Sequence, residues 1–245
     1  MIIHLHCLSW NEMPVMDFFF RHYDRIVDHY FIRDDGSDDG TIEALSRRPN
    51  VTVAPKDNPH ADSYVLNSLH AHQTNWKASR GTADWVIVVD MDEHVHHADL
   101  AGYLRRQKDQ GVTAIPGLGF QMLSRDFPAP GAWLARDLRW GSPWRNMSKL
   151  AVFRPDQIAE TAFTPGRHSA QPQGNVVYPA RDEMYLLHYK YLGMDRIMAR
   201  HAAAQNRRGP LDLRNQWGHR YGLTQEQTRA DFEQFAATAL DLDSM

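Results

Sequence analysis

Cysteine is nearly absent from this sequence, and it has no long apolar run. The only cysteine is Cys7, which excludes a disulfide within the chain and a zinc site built from cysteines. Cys7 lies in the apolar stretch 2–8, and we interpret it as a buried thiol of a strand. No stretch approaches the roughly 18 apolar residues that a membrane-spanning helix requires.

The charges show no strong bias of either sign. The net charge is −3 over 245 residues, which gives no reason to expect a nucleic acid as partner. The N-terminus lacks the cationic flank and apolar stretch of a signal peptide, so the sequence predicts a cytoplasmic protein and leaves peripheral membrane contact open. A hydrophobic fraction of 42% and this length fit a single domain, residues 1–245.

Apolar and amphipathic segments alternate through the first hundred residues, which predicts an α/β fold. This order predicts a mostly parallel central sheet flanked by helices. The helix at 12–23 is expected to bury a stripe of Met13, Met16, Phe19, Phe20 and Tyr23. The predicted strands are 2–8, 27–32, 51–54 and 85–89, and the predicted helices are 12–23, a short one from 41, and 63–79.

Two acidic clusters follow predicted strands of this sheet. Asp90-Met91-Asp92 ends the uninterrupted apolar run 85–89, and ligands of such sheets bind outside the carboxyl ends of the strands. Residues two apart point the same way, so Asp90 and Asp92 can face one ligand, and both stay ionised only beside a cation. Mg²⁺ or Mn²⁺ with phosphate oxygens in its remaining positions meets that need. The alternative is a solvated acidic turn.

The second cluster is Asp34-Asp35-Gly36-Ser37. A carboxylate there can accept a hydrogen bond from a nucleobase ring or from ribose, although turn chemistry alone also favours these residue types. The segment 35–40 also copies the first half of a calcium-binding EF-hand loop. Ser46 stands where that loop requires a bidentate glutamate, which argues against calcium.

The second half of the chain is less regular. A long functional loop is predicted at 124–146, where Trp133, Trp140 and Trp144 are either acceptor-sugar platforms or anchors of the loop. Strands are predicted within 112–122 and at 150–153 and 185–189, and helices at 193–206 and 224–240.

Three motifs together resemble a known family. They are Asn11-Glu12 after the first strand, Asp34-Asp35-Gly36-Ser37-x-Asp39-Gly40-Thr41, and Val88-Val89-Asp90-Met91-Asp92-Glu93. In combination they are similar to the family 2 glycosyltransferases of GT-A fold, and within them to the bacterial branch with an Asp-x-Asp-Glu motif. The resemblance covers residues 1–100, which would form the nucleotide-sugar-binding half, with 101–245 as an acceptor-side half ending in helices.

The resemblance implies a hexosyltransferase, typically inverting, that takes a sugar from a nucleotide-sugar donor, usually UDP-linked. The acceptor would be a hydroxyl of a carbohydrate or glycolipid in surface-polysaccharide or glycoconjugate synthesis. The resemblance implies that Asp35 contacts the base and that Asp34 and Glu12 lie near the nucleoside. It also implies that Asp90 approaches the ribose or the metal, and that Asp92 binds the metal.

The sequence departs from the family after residue 100, where the usual Glu-Asp pair supplying the general base is not recognisable. Asp182-Glu183 lies at about the expected distance beyond the metal motif and is the candidate base, with Asp126 and Asp137 as weaker alternatives. Lys149, Lys190, Arg207 and Arg208 are candidates for neutralising the departing diphosphate.

Histidines offer further metal ligands. His188 lies in the predicted strand 185–189 and is the candidate third ligand, since the resemblance to GT-A enzymes implies that a C-terminal histidine can complete the metal shell; a core histidine is the alternative. His168 is a weaker rival. A zinc site at His94, His96 and His97 lacks a further ligand at suitable spacing, which favours a polar loop there.

Two other functions compete with glycosyl transfer. A phosphotransferase of the haloacid-dehalogenase kind also places Asp-x-Asp after a hydrophobic strand, but it expects Thr or Val where His94 stands. A non-catalytic module that binds a sugar or nucleotide would keep the acidic clusters without a base.

Overall fold

The computed structural model describes residues 1–181 and 184–242 and forms a mixed α/β fold. The elements of the first part are, in chain order, β1 Ile3–Ser9, α1 Met13–Tyr23, β2 His29–Asp34, α2 Thr41–Ser46, β3 Val51–Pro55, α3 Tyr64–Thr74, a 3-10 helix Asn75–Ser79, and β4 Trp85–Asp90. The later elements are β5 Glu93–His96, α4 Leu100–Asp109, β6 Ala114–Pro116, β7 Leu118–Ser124, α5 Leu134–Asp137, β8 Trp140–Pro143, β9 Leu150–Phe153, β10 Ile158–Glu160, β11 Gln173–Gly174, β12 Tyr185–Leu192, α6 Met194–Gln205, α7 Pro210–Arg214, α8 Gln225–Ala236 and β13 Leu240–Asp241.

The central sheet has the strand order β3-β2-β1-β4-β9-β6. The pairs β1–β2, β1–β4 and β2–β3 are parallel, whereas β9 runs antiparallel to β4 and β6. The predicted mostly parallel central sheet flanked by helices is therefore confirmed.

The apolar run of β4 is buried on both faces of this sheet. Trp85 and Ile87 belong to the core cluster that also contains side chains of α1 and α4, while Val86 and Val88 pack with Trp76 on the opposite face. Alternate residues of a strand point to opposite faces, so a strand covered on both sides must be apolar throughout. This burial fixes the position of the acidic residues that follow the strand.

Most of the residues of α1 that were predicted to be buried are buried. Met16, Phe19, Phe20 and Tyr23 are buried, but Met13 is 43% exposed, so the stripe was wrong at that residue. Met13 is the first residue of the helix, just after Glu12 at the end of the sheet, and the core does not extend that far.

A second sheet, ordered β13-β8-β7-β12-β5, is formed mainly by the later part of the chain. Its edge strand β5 corrects the expected polar loop: Glu93 and His94 are each 1% exposed and pair with β12. The expected long loop at 124–146 also contains α5 and β8. Within the described ranges, no helix is long and apolar enough to cross a bilayer.

Candidate functional site

The two acidic loops lie side by side at one edge of the central sheet. Strand β1 lies between β2 and β4, with Ser9 opposite Asp34 and Leu8 opposite Asp90. Because these three strands are parallel, their carboxyl ends meet at the same edge, where ligands of such sheets bind. Glu12 follows β1 at this edge, so the residues that the sequence singled out as candidates for binding a nucleotide-sugar lie at one edge of the sheet.

Asp34 organises its own loop. Its Oδ1 accepts hydrogen bonds from the amides of Gly36 at 3.0 Å and Ser37 at 2.8 Å, and its Oδ2 accepts from the Ser37 hydroxyl at 2.6 Å. Gly36 has φ of +80°, a conformation that glycine adopts without strain. Asp34 therefore shapes the turn that presents Asp35, and its expected position near a nucleoside stays a prediction.

Asp35 lies deeper than a solvated turn residue would. Its side chain is 10% exposed and forms ion pairs with Lys56, at 2.8 Å, and with Arg207. Asn58 also donates to its carboxylate at 3.2 Å. Two cations and an amide therefore surround this carboxylate.

Arg207 reaches Asp35 from the turn that follows α6. Its guanidinium lies 3.9 Å from the centre of the Trp10 ring and 4.8 Å from the centre of the Tyr64 ring. The sequence indicated Arg207 only as a partner of a diphosphate, and it did not indicate Trp10 or Tyr64. The only feature of the sequence that could have indicated them is their position: Trp10 directly follows β1, and Tyr64 is the first residue of α3.

Glu12 is buried beside a second arginine of the same region. Its Oε1 accepts a hydrogen bond from Arg200 of α6, and its amide donates to the Thr41 hydroxyl at 3.0 Å. Burial raises the pKa of Glu12 to about 7; Arg200 opposes this shift and the carboxylate of Asp92 adds to it. Helix α6 therefore supplies a cation to the carboxylate after β1, and the turn that follows it supplies one to the carboxylate after β2.

Asp90 has cationic and hydrogen-bonding neighbours of its own. His72 Nε2 lies 3.0 Å from its Oδ1, and Arg167 Nη2 lies 3.7 Å from its Oδ2. Burial opposes ionisation, but His72, Arg167 and Lys149 together hold the pKa of Asp90 well below its usual range. The side chain is 38% exposed, so this carboxylate is both ionised and open to a ligand.

A buried ion cluster lies directly behind Asp90. Glu93 accepts from Lys149 at 2.6 Å and from Arg167, and the Arg167 guanidinium also donates to the Val88 carbonyl at 2.7 Å. Arg167 is 1% exposed and has φ of +57°, which is uncommon outside glycine. The sequence drew attention to this segment through His168, which is exposed and whose Nδ1 lies 2.8 Å from the Asn146 carbonyl oxygen. Its neighbour Arg167 is the residue that reaches the site.

Asp92 faces His188, the predicted third ligand. His188 Nε2 lies 3.4 Å from Asp92 Oδ2, and His188 Nδ1 lies 2.7 Å from Gln121 Oε1. The Gln121 amide nitrogen donates to the carbonyls of Met122 and His188, so its oxygen is the atom that faces the imidazole. His188 therefore carries its proton on Nδ1, and when the ring is neutral its Nε2 lone pair points towards a carboxylate. A metal ion bound between the two groups would relieve that repulsion.

Asp92 and His188 could supply two of the ligands of a divalent ion. Two ligand atoms 3.4 Å apart are compatible with distances of about 2.1 Å to one ion, and Gln121 orients the histidine as metal sites require. Among the described residues, no three His, Cys, Asp or Glu side chains form a group placed to hold a metal. Asp92 and His188 thus suit an ion that takes other ligands from a bound molecule or water.

Other sequence candidates lie elsewhere or outside the described part of the chain. Asp182 and Glu183, the candidate base, fall outside the described residues. Asp126 is exposed, and Asp137 pairs with Arg136 at 2.7 Å. His94 is buried with its ring stacked on His22, which accounts for it without zinc.

Of the three loop tryptophans, Trp144 reaches the site. Its ring stacks on His188 with centres 5.9 Å apart, and the Arg220 guanidinium lies 4.9 Å from its centre. Trp140 is 54% exposed, and Trp133 packs against Arg25. One tryptophan therefore lies beside the candidate metal ligands.

No family model matches the chain, and no curated protein matches it in sequence. Among solved structures it is similar to S. aureus TarS, with 11% identity and a TM-score of 0.44 over 82% of this chain and 40% of that one. TarS 1-349 gives 10% identity and a TM-score of 0.41, covering 82% and 66% of the two chains. TarS 1-349 in complex with UDP gives 10% and 0.38, covering 63% and 47%. The chain thus spans 40 to 66% of the length of these structures.

Proposed function

We propose that this protein is a metal-dependent glycosyltransferase that transfers a sugar from a nucleotide-sugar, UDP-linked, to a hydroxyl acceptor. The observation that carries this proposal is the meeting of Glu12, Asp35, Asp90 and Asp92 at the carboxyl edge of β1, β2 and β4. Carboxylates at one end of this edge suit the hydrogen-bond donors of a nucleoside. Those at the other end suit a cation-bridged diphosphate.

The nucleoside would lie at the β2 end. Asp35 would accept a hydrogen bond from the base, and Glu12 and Asp34 would border the nucleoside, as the family resemblance implies. Trp10 and Tyr64 add two aromatic faces beside Asp35, which suit a planar base. The cations Lys56 and Arg200 offset the negative charge that a diphosphate brings to this acidic edge.

Mn²⁺ or Mg²⁺ would be held by Asp92 and His188, with Asp90 at the ribose or as a further ligand. Such an ion, when bound, stabilises negative charge on the departing diphosphate. The protein's own contribution is orientation, because Gln121 Oε1 faces Nδ1 of His188 and so fixes the ring with Nε2 towards Asp92.

The acceptor would approach from the side of Trp144, whose ring offers an apolar face to a sugar. A general base must deprotonate its hydroxyl, and Asp182 or Glu183 keeps that role as a prediction from the sequence. Inversion at the anomeric carbon, a carbohydrate or glycolipid acceptor, and a place in surface-polysaccharide or glycoconjugate synthesis belong to the same proposal. So do a cytoplasmic location and peripheral contact with a membrane.

The direct test is a thermal-shift panel of UDP, GDP and their sugar conjugates, each with and without Mn²⁺. Selective binding raises the melting temperature, so we expect the largest rise with a UDP-sugar and Mn²⁺ together. Asp92→Asn should abolish the Mn²⁺-dependent part of the rise and the release of UDP from the donor. Asp17→Asn, at an exposed position of α1, is the matched control and should behave as wild type. Full donor turnover by Asp92→Asn, or a phospho-aspartate trapped at Asp90, would refute the proposed mechanism.

A further inference from the structure

The Arg207 guanidinium fills a space beside Asp35 that the rings of Trp10 and Tyr64 border, and we call this space the slot. This guanidinium lies within 3.9 Å of the ring centre of Trp10 and within 4.8 Å of that of Tyr64. Its Nη2 donates to the carboxylate of Asp35 and, at 3.2 Å, to the Asp35 carbonyl. Its Nη1 is buried without a hydrogen-bond partner among the described residues. A planar group thus lies against aromatic rings and directs N–H donors from its edge at a carboxylate.

We propose that Arg207 is an internal mimic of the nucleobase, and that it sets the affinity and base selectivity of the site by occupying the slot in the free protein. This inference rests on the proposed function. A uracil ring is also planar, stacks on aromatic side chains, and presents a ring N–H to a carboxylate. The guanidinium and the base therefore satisfy the same groups and exclude each other.

Arg207 is the partner of Asp35 that can leave. The Lys56 side chain is 1% exposed, whereas the Arg207 side chain is 19% exposed and approaches from outside the sheet. When Arg207 withdraws, Lys56 at 2.8 Å and Asn58 at 3.2 Å still hold the carboxylate. Asp35 is therefore never left as an unpaired buried charge, which is what would make the exchange prohibitive.

The backbone around Arg207 is anchored, so the exchange involves its side chain. Two residues further on, the Gly209 amide donates to Asp212 at 3.0 Å, and a Cβ at Gly209 would lie 2.1 Å from the Asp62 carbonyl oxygen. Asp212 also accepts from the Ser63 hydroxyl and from the Tyr64 amide at 2.8 Å, which ties this segment to the start of α3. A rotation of the long arginine side chain opens the slot while the segment stays in place.

Self-occupation lowers the apparent affinity for a nucleotide by the fraction of molecules whose slot is free. If about one molecule in ten has Arg207 withdrawn, the apparent dissociation constant is about tenfold higher than that of an open slot. A ligand whose base competes poorly with the guanidinium is excluded further. Arg207 therefore acts on base recognition, which is separate from attraction of the diphosphate.

Isothermal titration with uridine and with UDP plus Mn²⁺ separates these roles. Arg207→Gln should bind both ligands about tenfold more tightly than wild type, because the competitor is lost while the aromatic walls remain. Arg207→Lys keeps the positive charge but lacks the planar group, so it should also bind both ligands more tightly. Arg214→Gln, at an exposed position of α7, should bind both as wild type does. Circular dichroism and the melting temperature confirm that each variant folds.

Three results would overturn the inference. Unchanged affinity of Arg207→Gln for both ligands would show that the slot is not self-occupied. Weaker UDP binding with unchanged uridine binding would make Arg207 a ligand of the diphosphate; in both cases the proposed function stands. Absence of binding by both wild type and Arg207→Gln would remove the proposed function together with this inference.

Discussion

The loops after β2 and β4 are both acidic and both paired with arginine, yet their arginines differ in accessibility. At the β2 end, the side chain of Arg207 is 19% exposed and shares Asp35 with Lys56. At the β4 end, Arg167 and Lys149 have side chains 1% and 6% exposed and enclose Glu93, which is 2% exposed. An accessible partner can be exchanged for a ligand, whereas an enclosed one cannot leave without unfolding its surroundings.

The exposure of the carboxylates that we propose bind ligands follows the opposite order. Asp90 and Asp92 have side chains 38% and 26% exposed, whereas the side chain of Asp35 is 10% exposed beneath Arg207. The β4 end of the edge is therefore open on a fixed support, whereas the β2 end is covered by the side chain that we propose is exchangeable. The predictions that follow test this contrast between a permanent cluster and a replaceable pair.

The largest effect is expected where the permanent cluster is broken. Glu93→Ala leaves Arg167 and Lys149 buried without their shared carboxylate, and breaking a buried pair from one side destabilises by about 3–5 kcal/mol. The free energy of unfolding from urea denaturation measures this loss. Glu160→Ala is the control, because Glu160 pairs with Lys77 at 2.6 Å where both side chains are at least 30% exposed, and should change stability by less than about 1 kcal/mol. Equal losses of stability in Glu93→Ala and Glu160→Ala would contradict the distinction between the buried cluster and an exposed ion pair.

Glu12 predicts a pH dependence of stability. Its pKa is raised by burial from 4.5 to about 7, so between these values the unfolded chain ionises while the folded protein keeps the proton. The unfolded state then binds fewer protons, and stability falls as pH rises from 4.5 to 7 by up to about 3 kcal/mol.

Glu12→Gln removes this titration. The difference in free energy of unfolding between wild type and variant should shift in favour of the variant from pH 5 to pH 8, as measured by urea denaturation at both values. The other titrating groups are common to the two proteins and cancel in the difference. A constant difference across this range would show that Glu12 ionises normally in the folded state.

A substitution at Gln121 tests whether this residue orients His188, the proposed metal ligand. Gln121→Met keeps the volume but removes the acceptor of the His188 Nδ1 proton, so His188 is free to direct an N–H at Asp92. Loss of such outer partners weakens metal binding by about 10- to 100-fold. Electron paramagnetic resonance of free Mn²⁺ in the presence of UDP measures the affinity. Gln107→Met, a change at a buried glutamine of α4, should leave it unchanged; an equal loss there would point to general loosening of the fold.

Sequence patterns were sufficient to predict those parts of the fold in which the environment of a residue depends on its neighbours along the chain. The uninterrupted apolar run of β4 predicted a strand covered on both faces, and the acidic residues after β2 and β4 predicted adjacent loops. The helix at 224–240 was predicted from its capping box, and the structure has Gln225–Ala236 with Thr224 as the cap.

Patterns were insufficient where a buried polar group finds its hydrogen-bond or ion-pair partner far away in the sequence. Glu93 and His94 look like loop residues because their sequence is polar, but Glu93 is buried by Arg167, which is 74 residues away. Arg207 lies 172 residues from Asp35, and no spacing rule indicates that pair. Positive φ at Arg167 is likewise imposed by tertiary contacts, since arginine has no local preference for it.

The smallest effect is expected at the replaceable pair, and it completes the contrast. Arg207→Gln leaves Asp35 paired with Lys56 and bonded to Asn58, so no unpaired charge is buried and the loss should stay below about 1 kcal/mol. Urea denaturation of Arg207→Gln and Glu93→Ala under the same conditions measures the free energy of unfolding of both variants. Arg207 and Glu93 each take part in a pair of a carboxylate and a guanidinium, so the two variants can be compared. A loss of about 3 kcal/mol in the free energy of unfolding of Arg207→Gln would mean that Arg207 is held as firmly at the β2 end as the ion cluster behind Asp90. The base could then enter only by local unfolding.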